Sequence, residues 1–386
     1  MRPILPPSFT LLQVIPRLDG GGVERATLDM AAAVKSAGGR SLVASCGGAM
    51  AAELMAAGGE LIRLPVDRRD PVSLFANAGK LAEVIRREGV GVVHVRSRAP
   101  MFSAIRAARR AGVPVVATYH GIYSARSAAK RWYNGVMTRG DLVIANSQFT
   151  RDHILGEHPI APDRVVVVPE GIDTRRFDPS IISAERVAAI RETWGLKGDD
   201  RRRVILCAAR LTSWKGQGTA IEAFGKRARR ENAVLILAGR TESETYADAL
   251  RRLAADLGVA DSVKLVGQID DMAAALLAAD IVVAPSLAAE SFGRAVVEAM
   301  AMGRPAVASA IGAHLETVAD GETGWLVEPA DRAAWTRALE TVQATPPDVL
   351  AEMGRLARDR AVDRYSLDAM VDATFEVYRR LLSHDR

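Results

Sequence analysis

Cysteine is nearly missing from this chain of 386 residues. Its two examples, Cys46 and Cys207, fall in apolar segments that read as strands, with no C-x-x-C pair and no histidine cluster nearby. That argues against a disulfide framework or a zinc module, and both thiols are expected to be buried and reduced. Long apolar runs are missing as well. Every Ala/Val/Leu run is broken by charge or glycine within a few turns, short of the roughly 20 apolar residues a spanning helix needs. The start, Met1 to Val14, has one arginine, three prolines and a short apolar stretch, without the long apolar region or small-residue cleavage site of an export signal. A cytoplasmic protein is expected, peripheral at most on the inner face of the cytoplasmic membrane. Two nucleotide-binding signatures are also absent. Gly79-Lys80 and Gly225-Lys226 precede Leu81 and Arg227 rather than the Ser or Thr of a Walker loop. Neither Gly20-x-Gly22 nor Gly216-x-Gly218 meets a third glycine, since Arg25 and Ile221 stand there, so nicotinamide chemistry loses its main support.

What is present is globular: 49% hydrophobic and 25% charged residues, at a length beyond that at which one core stops growing. Two domains are expected. Charge is uneven, residues 1–172 carrying 22 Lys and Arg against 14 Asp and Glu, and the remainder 29 against 32. A basic first half suits an acidic partner, such as an anionic membrane surface or a phosphorylated acceptor; an arginine-rich surface with no such partner reads equally well. Nucleic acid is not among the expected partners.

From Leu11 onward, short apolar runs alternate with Ala-rich amphipathic stretches: L-L-Q-V-I then 23–37, S-L-V-A-S then 49–57, L-I-R-L-P then 72–88, V-V-H-V then 99–111, P-V-V-A-T then 127–139, closing with L-V-I-A-N and V-V-V-V-P. Runs apolar throughout belong to strands covered on both faces of a parallel sheet. The pattern pauses over 171–198, where a helix is expected at 183–193, and restarts with V-I-L-C-A-A at 204. Helices at 217–229, 243–257, 271–279 and 293–302 then alternate with strands A-V-L-I-L-A, V-K-L-V, I-V-V-A-P and P-A-V-A-S, and three helices at about 331–343, 347–364 and 367–383 end the chain. The fold class is α/β, with two Rossmann-like doubly wound domains, 1–175 and 176–386. Ligands of such sheets bind beyond the carboxyl ends of the strands, and with two domains the cleft between them is the expected site.

Four segments carry chemistry at those strand ends. In A-A-R-L-T-S-W-K-G-Q-G, Arg210 leaves a strand, Lys215 follows in the loop, and Gly216 and Gly218 open a helix. Two cations beside free helix N–H groups suit a diphosphate, although from this segment alone a solvated Arg and Lys on a surface loop reads more readily, and the companion segments must decide. In P-S-L-A-A-E-S-F-G-R-A-V-V-E-A-M-A-M-G-R-P, Glu290 stands in a loop and Glu298 on the next helix, a spacing of about 12 Å if counted along one helix axis. Carboxylates accept hydrogen bonds from paired hydroxyls, and the N–H groups of Ser291, Phe292 and Gly293 stand where a sugar or phosphate oxygen would sit. Gly20, Gly21 and Gly22 open the first helix at Val23, permitting close backbone approach, although a plain flexible turn reads almost as well. His120, in V-V-A-T-Y-H-G, leaves a strand at the same edge; a buried structural histidine is the alternative.

Taken in order, G-G-G-V-E-R, T-Y-H-G, R-L-T-S-W-K-G, the Glu290 to Glu298 segment and the later G-E-T-G-W-L-V resemble retaining glycosyltransferases of family 4, with the GT-B fold. The resemblance covers nearly the whole chain and suggests a bacterial lipopolysaccharide or polysaccharide enzyme. It implies that Arg210 and Lys215 hold the donor diphosphate and that Gly21 or Gly22 approaches it. Glu290, with the N–H groups of Phe292 and Gly293, would hold the donor sugar, Glu298 the ribose, and His120 a hydroxyl near the reacting carbon. The last helix, 367–383, would cross back to the first domain. Family members often carry Arg or Asn where this chain has Glu170, so no contact is carried over there. The nucleotide base is expected at strand-exit backbone from Gly267 to Asp271. The implied donor is a UDP- or GDP-sugar acting as substrate, with no separate cofactor and no metal. No D-x-D stands in a fitting loop, and Asp270-Asp271 begins a helix. The acceptor is expected to be a glycan or lipid-linked glycan, with R-W-Y-N at 131–134 supplying aromatics and cations. A 2-epimerase or phosphorylase of the same fold, and a non-catalytic two-domain sugar-binding protein, are the rival readings.

Overall fold

The computed structural model describes residues 5–6, 8–123, 127–227 and 232–383. Among these the chain forms two sheets in which every strand pair is parallel. The first holds β1 (Thr10–Val14), β2 (Arg40–Ser45), β3 (Gly59–Arg63), β4 (Val92–Val95), β5 (Val115–Tyr119), β6 (Leu142–Ala145) and β7 (Val165–Val167), in the order β3-β2-β1-β4-β5-β6-β7. The second holds β8 (Arg203–Ala208), β9 (Ala233–Ala238), β10 (Val263–Gly267), β11 (Ile281–Ala284), β12 (Ala306–Ser309) and β13 (Gly324–Val327), in the order β10-β9-β8-β11-β12-β13. This is the GT-B pair of Rossmann-like units. Helices cover both faces of each sheet, so β4 and β9 are buried along their whole length. That is why these strands read as unbroken apolar runs. In each sheet the strand order reverses direction at one point, between β1 and β4 in the first and between β8 and β11 in the second.

By contacts the chain divides into two compact units, one of Met1–Gly171 with Leu367–Arg386, the other of Ile172–Ser366. The helix Leu367–Ser383 buries Met370, Val371, Phe375, Tyr378 and Leu381 among Phe9, Met30, Val34 and Val92 of the first unit. Its anchor is polar. Tyr378 Oη lies 2.7 Å from His94 Nδ1, and His94 Nε2 lies 2.7 Å from Thr118 Oγ1. Burial pushes the imidazole well below its ordinary pKa, so His94 is neutral, with one nitrogen donating and the other accepting. Among the described residues no helix is long and apolar enough to cross a membrane.

Several sequence expectations need correction. A helix at Gln148–Glu157 escapes notice because only Thr150 and Ile154 of its ten residues are buried, too few to draw an apolar stripe. The edge strand β13 is also unread, its central Trp325 and Leu326 only part-buried and so outside the unbroken apolar runs, and the helix His314–Thr317 is a single turn, too short for a helical period. The stretch 127–139 breaks at Gly135 into a helix, Ala128–Asn134, and a 3-10 turn, Gly135–Arg139. The helix expected over 217–229 ends at Lys226, and residues 228 and 229 lie outside the described residues. Cys207 is buried within β8, but Cys46 stands one residue past β2 and is only part-buried; both are free, and burial raises both thiols, Cys207 to about 12.

Tyr378→Phe is expected to destabilise the protein by about 1–3 kcal/mol, because it leaves a buried His94 nitrogen without its partner. Urea unfolding curves indistinguishable from wild type would show that this hydrogen bond does not hold the last helix.

Candidate functional site

The reversal point of the second sheet brings together the exits of β8 and β11. After β8 the chain runs through Arg210 to a 3-10 turn, Ser213–Lys215, and Gly216 then caps the helix Gln217–Lys226 with φ +73. A Cβ on Gly216 would fall 1.8 Å from the Pro285 carbonyl oxygen, so only glycine lets this turn rest on the β11 exit. Leu287 N donates to Trp214 O at 2.7 Å and ties the two loops together. Gln217, fully buried, donates to the Arg210 carbonyl at 2.9 Å and fixes the loop from below.

Within this frame Lys215 Nζ meets Glu290 Oε1 at 2.8 Å, with the two side chains only 15% and 14% exposed. Ser286 Oγ donates to the same oxygen at 2.5 Å. The Glu290 backbone is pinned as well: Ala313 N donates to its carbonyl, and Gly312, at φ +67, lies where a Cβ would strike that oxygen at 2.6 Å. Burial by itself would raise the Glu290 carboxyl, but the attraction of Lys215 and the bonds from Lys215 and Ser286 outweigh it and hold it below its ordinary value. Glu290 is therefore ionised, and Lys215 is its counter-ion. Arg210 sits apart from that pair, its Nη1 2.6 Å from Glu242 Oε1 in an exposed ion pair.

Gly293, at φ +82, starts the helix Arg294–Ala301, with Phe292 buried edge-on against Tyr365 as its anchor. Because that helix begins only at Arg294, the spacing counted along one axis does not apply, and Glu290 and Glu298 are joined by a loop plus one helical turn. Glu298 is 15% exposed, flanked by buried Val297, Ala299 and Met300, and Arg294 Nη1 lies 3.6 Å from its Oε1. Gly267 closes β10 at φ +73, and its carbonyl accepts from Gly239 N at 2.7 Å. Asp271 is structural: it caps the helix Met272–Ala278 and takes both prongs of Arg186, at 2.8 and 2.9 Å.

Sequence reasoning missed His314. Its ring is fully buried, its Nδ1 donates to the Ser309 carbonyl at 3.2 Å, and its Nε2 stands 4.0 Å from Glu290 Oε1 with no hydrogen-bond partner among the described residues. Burial keeps it neutral despite the nearby carboxylate. A Cβ on Gly293 would lie 2.7 Å from the His314 ring, so the glycine and the histidine fit as a pair. The signal was available: a histidine two residues past Gly312, just beyond the exit of β12, is placed much as His120 is.

At the edge of the first sheet, Gly20 and Gly21 both adopt φ +144 and lead into the helix Gly22–Ser36, one residue earlier than expected. His120 follows β5 and lines an open pocket of about 440 Å³ together with Asp19, Val23 and Glu24 from the glycine turn and Arg96 from the exit of β4. Glu170, His94 and Arg96 line a smaller cavity that His120 also borders. Among the described residues no group of three or more His, Cys, Asp or Glu is placed to hold a metal ion.

The family model described as Glycosyltransferase Family 4 matches residues 20–176, and that described as Glycosyl transferases group 1 matches residues 190–360. A GDP-mannose-dependent alpha-(1-6)-phosphatidylinositol monomannoside mannosyltransferase of Mycolicibacterium smegmatis is 33% identical over 307 residues, which is 75% of this chain and 76% of that protein. This chain belongs to glycosyltransferase family 4. A D-inositol 3-phosphate glycosyltransferase of Streptomyces scabiei is 32% identical to the family 4 chain over 301 residues; the match takes in 72% of the chain but only 65% of that relative's length. The crystal structure of a glycosyltransferase from Rickettsia africae superposes with a TM-score of 0.90 at 29% identity, covering 97% of this chain and 99% of that one.

Lys215→Met is expected to cost about 3 kcal/mol, since it strands a largely buried carboxylate, while Lys215→Met with Glu290→Gln costs less than the single change. With its carboxyl held low, Glu290 contributes stability above the unfolded value near pH 4.3, and that contribution fades as pH falls through the lower folded value. Without the lysine the sign reverses, because the folded state then favours the protonated acid. The stability gap between wild type and Lys215→Met should therefore narrow on acidification below about pH 4.3; a gap that stays constant in urea titrations across that range would refute the pairing.

Proposed function

We propose that this family 4 chain is a glycosyltransferase that moves a sugar from a nucleoside diphosphate donor to a glycan or lipid-linked glycan, with retention and without a metal. The observation that carries the reading is the Lys215–Glu290 pair at the reversal point of the second sheet, flanked by the N-termini of the helices Gln217–Lys226 and Arg294–Ala301. A cation beside two helix N-termini suits a diphosphate, and a buried, oriented carboxylate suits sugar hydroxyls. In the proposed reaction Lys215 and Arg210 take the diphosphate, releasing Glu290 toward the sugar and Arg210 from Glu242. Departure of the nucleoside diphosphate concentrates negative charge on its terminal phosphate, where these cations and the helix ends stabilise it. The departing phosphate oxygen takes the acceptor's proton as the acceptor attacks from the same face. Glu298 binds the ribose, the N–H groups of Ser291, Phe292 and Gly293 bind donor oxygens, and Gly267 borders the base. His120 and the turn at Gly21 and Gly22 act at the reacting sugar. A UDP- or GDP-sugar is proposed as donor; the Mycolicibacterium relative is named for GDP-mannose.

A lipid-linked acceptor fits one surface of the first unit. Exposed Trp132 lies tilted against Phe102, with Arg139 5.7 Å from its ring, and exposed Phe75 lies under Arg106 and Arg110 at 5.2 and 5.6 Å. Arg106, Arg109, Arg110 and Arg139 line one groove between these aromatics. Rings flanked by arginines suit the interface of an anionic bilayer.

Two experiments test the proposal. In a thermal-shift screen of UDP-, GDP- and ADP-sugars, one nucleotide family should stabilise the protein; stabilisation by none would count against the whole reading. Glu298→Ala should weaken donor binding, Glu290→Ala should mainly abolish turnover, and donor isomerisation without transfer would favour an epimerase. For the membrane, co-sedimentation should be several-fold greater with phosphatidylglycerol vesicles than with phosphatidylcholine and should drop in Trp132→Ser with Phe75→Ser. Equal recovery on both vesicle types would remove the membrane contact.

A further inference from the structure

The reversal point of the first sheet, between β1 and β4, has a built site of its own. Arg96 leaves β4 with its backbone N–H on the Val14 carbonyl at 3.1 Å, and its side chain turns into the unit, so that the residue is only 5% exposed. Its Nε donates to Gln13 Oε1 at 3.0 Å. Gln13 is itself fully buried and locked, its amide donating to Thr27 O at 3.0 Å and to Ser41 Oγ at 3.2 Å. The guanidinium is thus oriented by a rigid amide, yet only one of its five N–H donors is used. Among the described residues no acceptor takes the two terminal nitrogens, and they are not sealed off: Arg96 lines both the 440 Å³ pocket and the smaller cavity beside it.

A buried cation with unspent, fixed donors is costly unless something completes it, and desolvation already disfavours its charge. Glu170 and Asp29 contribute attraction from a distance. The same pocket holds Ser97, the residue before the 14-residue helix Arg98–Ala111, whose first N–H groups receive no side-chain cap. Its wall is Tyr123, which lies against the Arg98 guanidinium at 3.9 Å. Of the acidic lining residues, Asp19 is paired with Arg17 at 2.5 Å, and neither it nor Glu24 forms an ion pair with Arg96.

We propose that this pocket binds a sugar acceptor carrying an oxyanion group, a carboxylate or a phosphate, which the fork of Arg96 grips through its two terminal nitrogens. A planar fork matches either group with two parallel bonds, as a lysine would not. The helix end behind Ser97 adds N–H donors of the same sign. His120, in the same lining, then stands beside the bound sugar. The inference rests on the reading of this chain as a glycosyltransferase and specifies its acceptor.

The test is calorimetry on the full chain with UDP held saturating, so that the donor site is filled, at constant ionic strength. Glucose, glucuronate and glucose 6-phosphate are the probes. At least one of the two anionic sugars should bind at least tenfold more tightly than glucose, and which one does so separates carboxylate from phosphate. Arg96→Gln and Arg96→Lys should both lose that preference while UDP affinity stays unchanged. The proposal is overturned if UDP binds but the three sugars bind equally or not at all, or if Arg96→Gln keeps the preference. Should a variant fail to fold by circular dichroism, the wild-type comparison among the three sugars decides alone. Should UDP fail to bind, GDP takes its place in the same titrations; failure of both would instead strike the donor reading, and titrations without nucleotide would still judge Arg96.

Discussion

Everything functional in this molecule depends on the strands of each sheet running in one direction. Parallel strands deliver all their exits to a single edge, and where the strand order reverses, two neighbouring exits diverge and leave backbone and side chains facing open space. In the second unit that geometry is tight. Gly216 rests against Pro285, Gly239 against Ala209 and Gly324 against Ala306, with 1.8, 2.0 and 2.1 Å separating a hypothetical Cβ from the neighbouring carbonyl oxygen. The loops that carry Lys215 and Glu290 are therefore braced backbone to backbone, and the side chains inherit their precision from that bracing.

The two reversal points are occupied in opposite ways. In the second unit the cation and the carboxylate satisfy each other, so a ligand must exchange partners with groups that are already paired. In the first, a cation is held in place by a neutral amide and keeps most of its donors in hand. A self-neutralised site resists adventitious anions and yields only to a ligand that serves both members, such as one with a diphosphate at one end and hydroxyls at the other. A site with a lone oriented cation discriminates by charge first.

The fold was legible from the sequence because strands covered on both faces have nothing to alternate with, and their apolar runs stand out at β4, β9 and β11. Elements that bury little, such as the helix Gln148–Glu157 and the edge strand β13 with Trp325 and Leu326 only part-buried, leave no such trace. The members of the second site were legible as residue types at strand exits. Their arrangement was not: no spacing rule states that Lys215 reaches Glu290 rather than standing beside Arg210, or that a glycine at φ +82 interrupts the path from Glu290 to Glu298. His314, placed past β12 much as His120 is past β5, left a signal in the sequence; Arg96 left none, since it acts through depth of burial, and burial of a single polar side chain is decided by what the rest of the chain packs over it.

The first unit is built from both ends of the chain, with residues up to Gly171 completed by the helix Leu367–Ser383. Synthesis proceeds from the amino terminus, and domains generally fold as they emerge. Here the apolar face around Phe9, Val92 and Leu142, together with His94, lacks its cover until the whole second unit has been made. The second unit, contiguous from Ile172 to Ser366, meets no such delay. The order of domains along the gene is thus the reverse of the order in which they reach completion, and a nascent chain stalled before residue 367 presents a finished second unit tethered to a first unit with an open core.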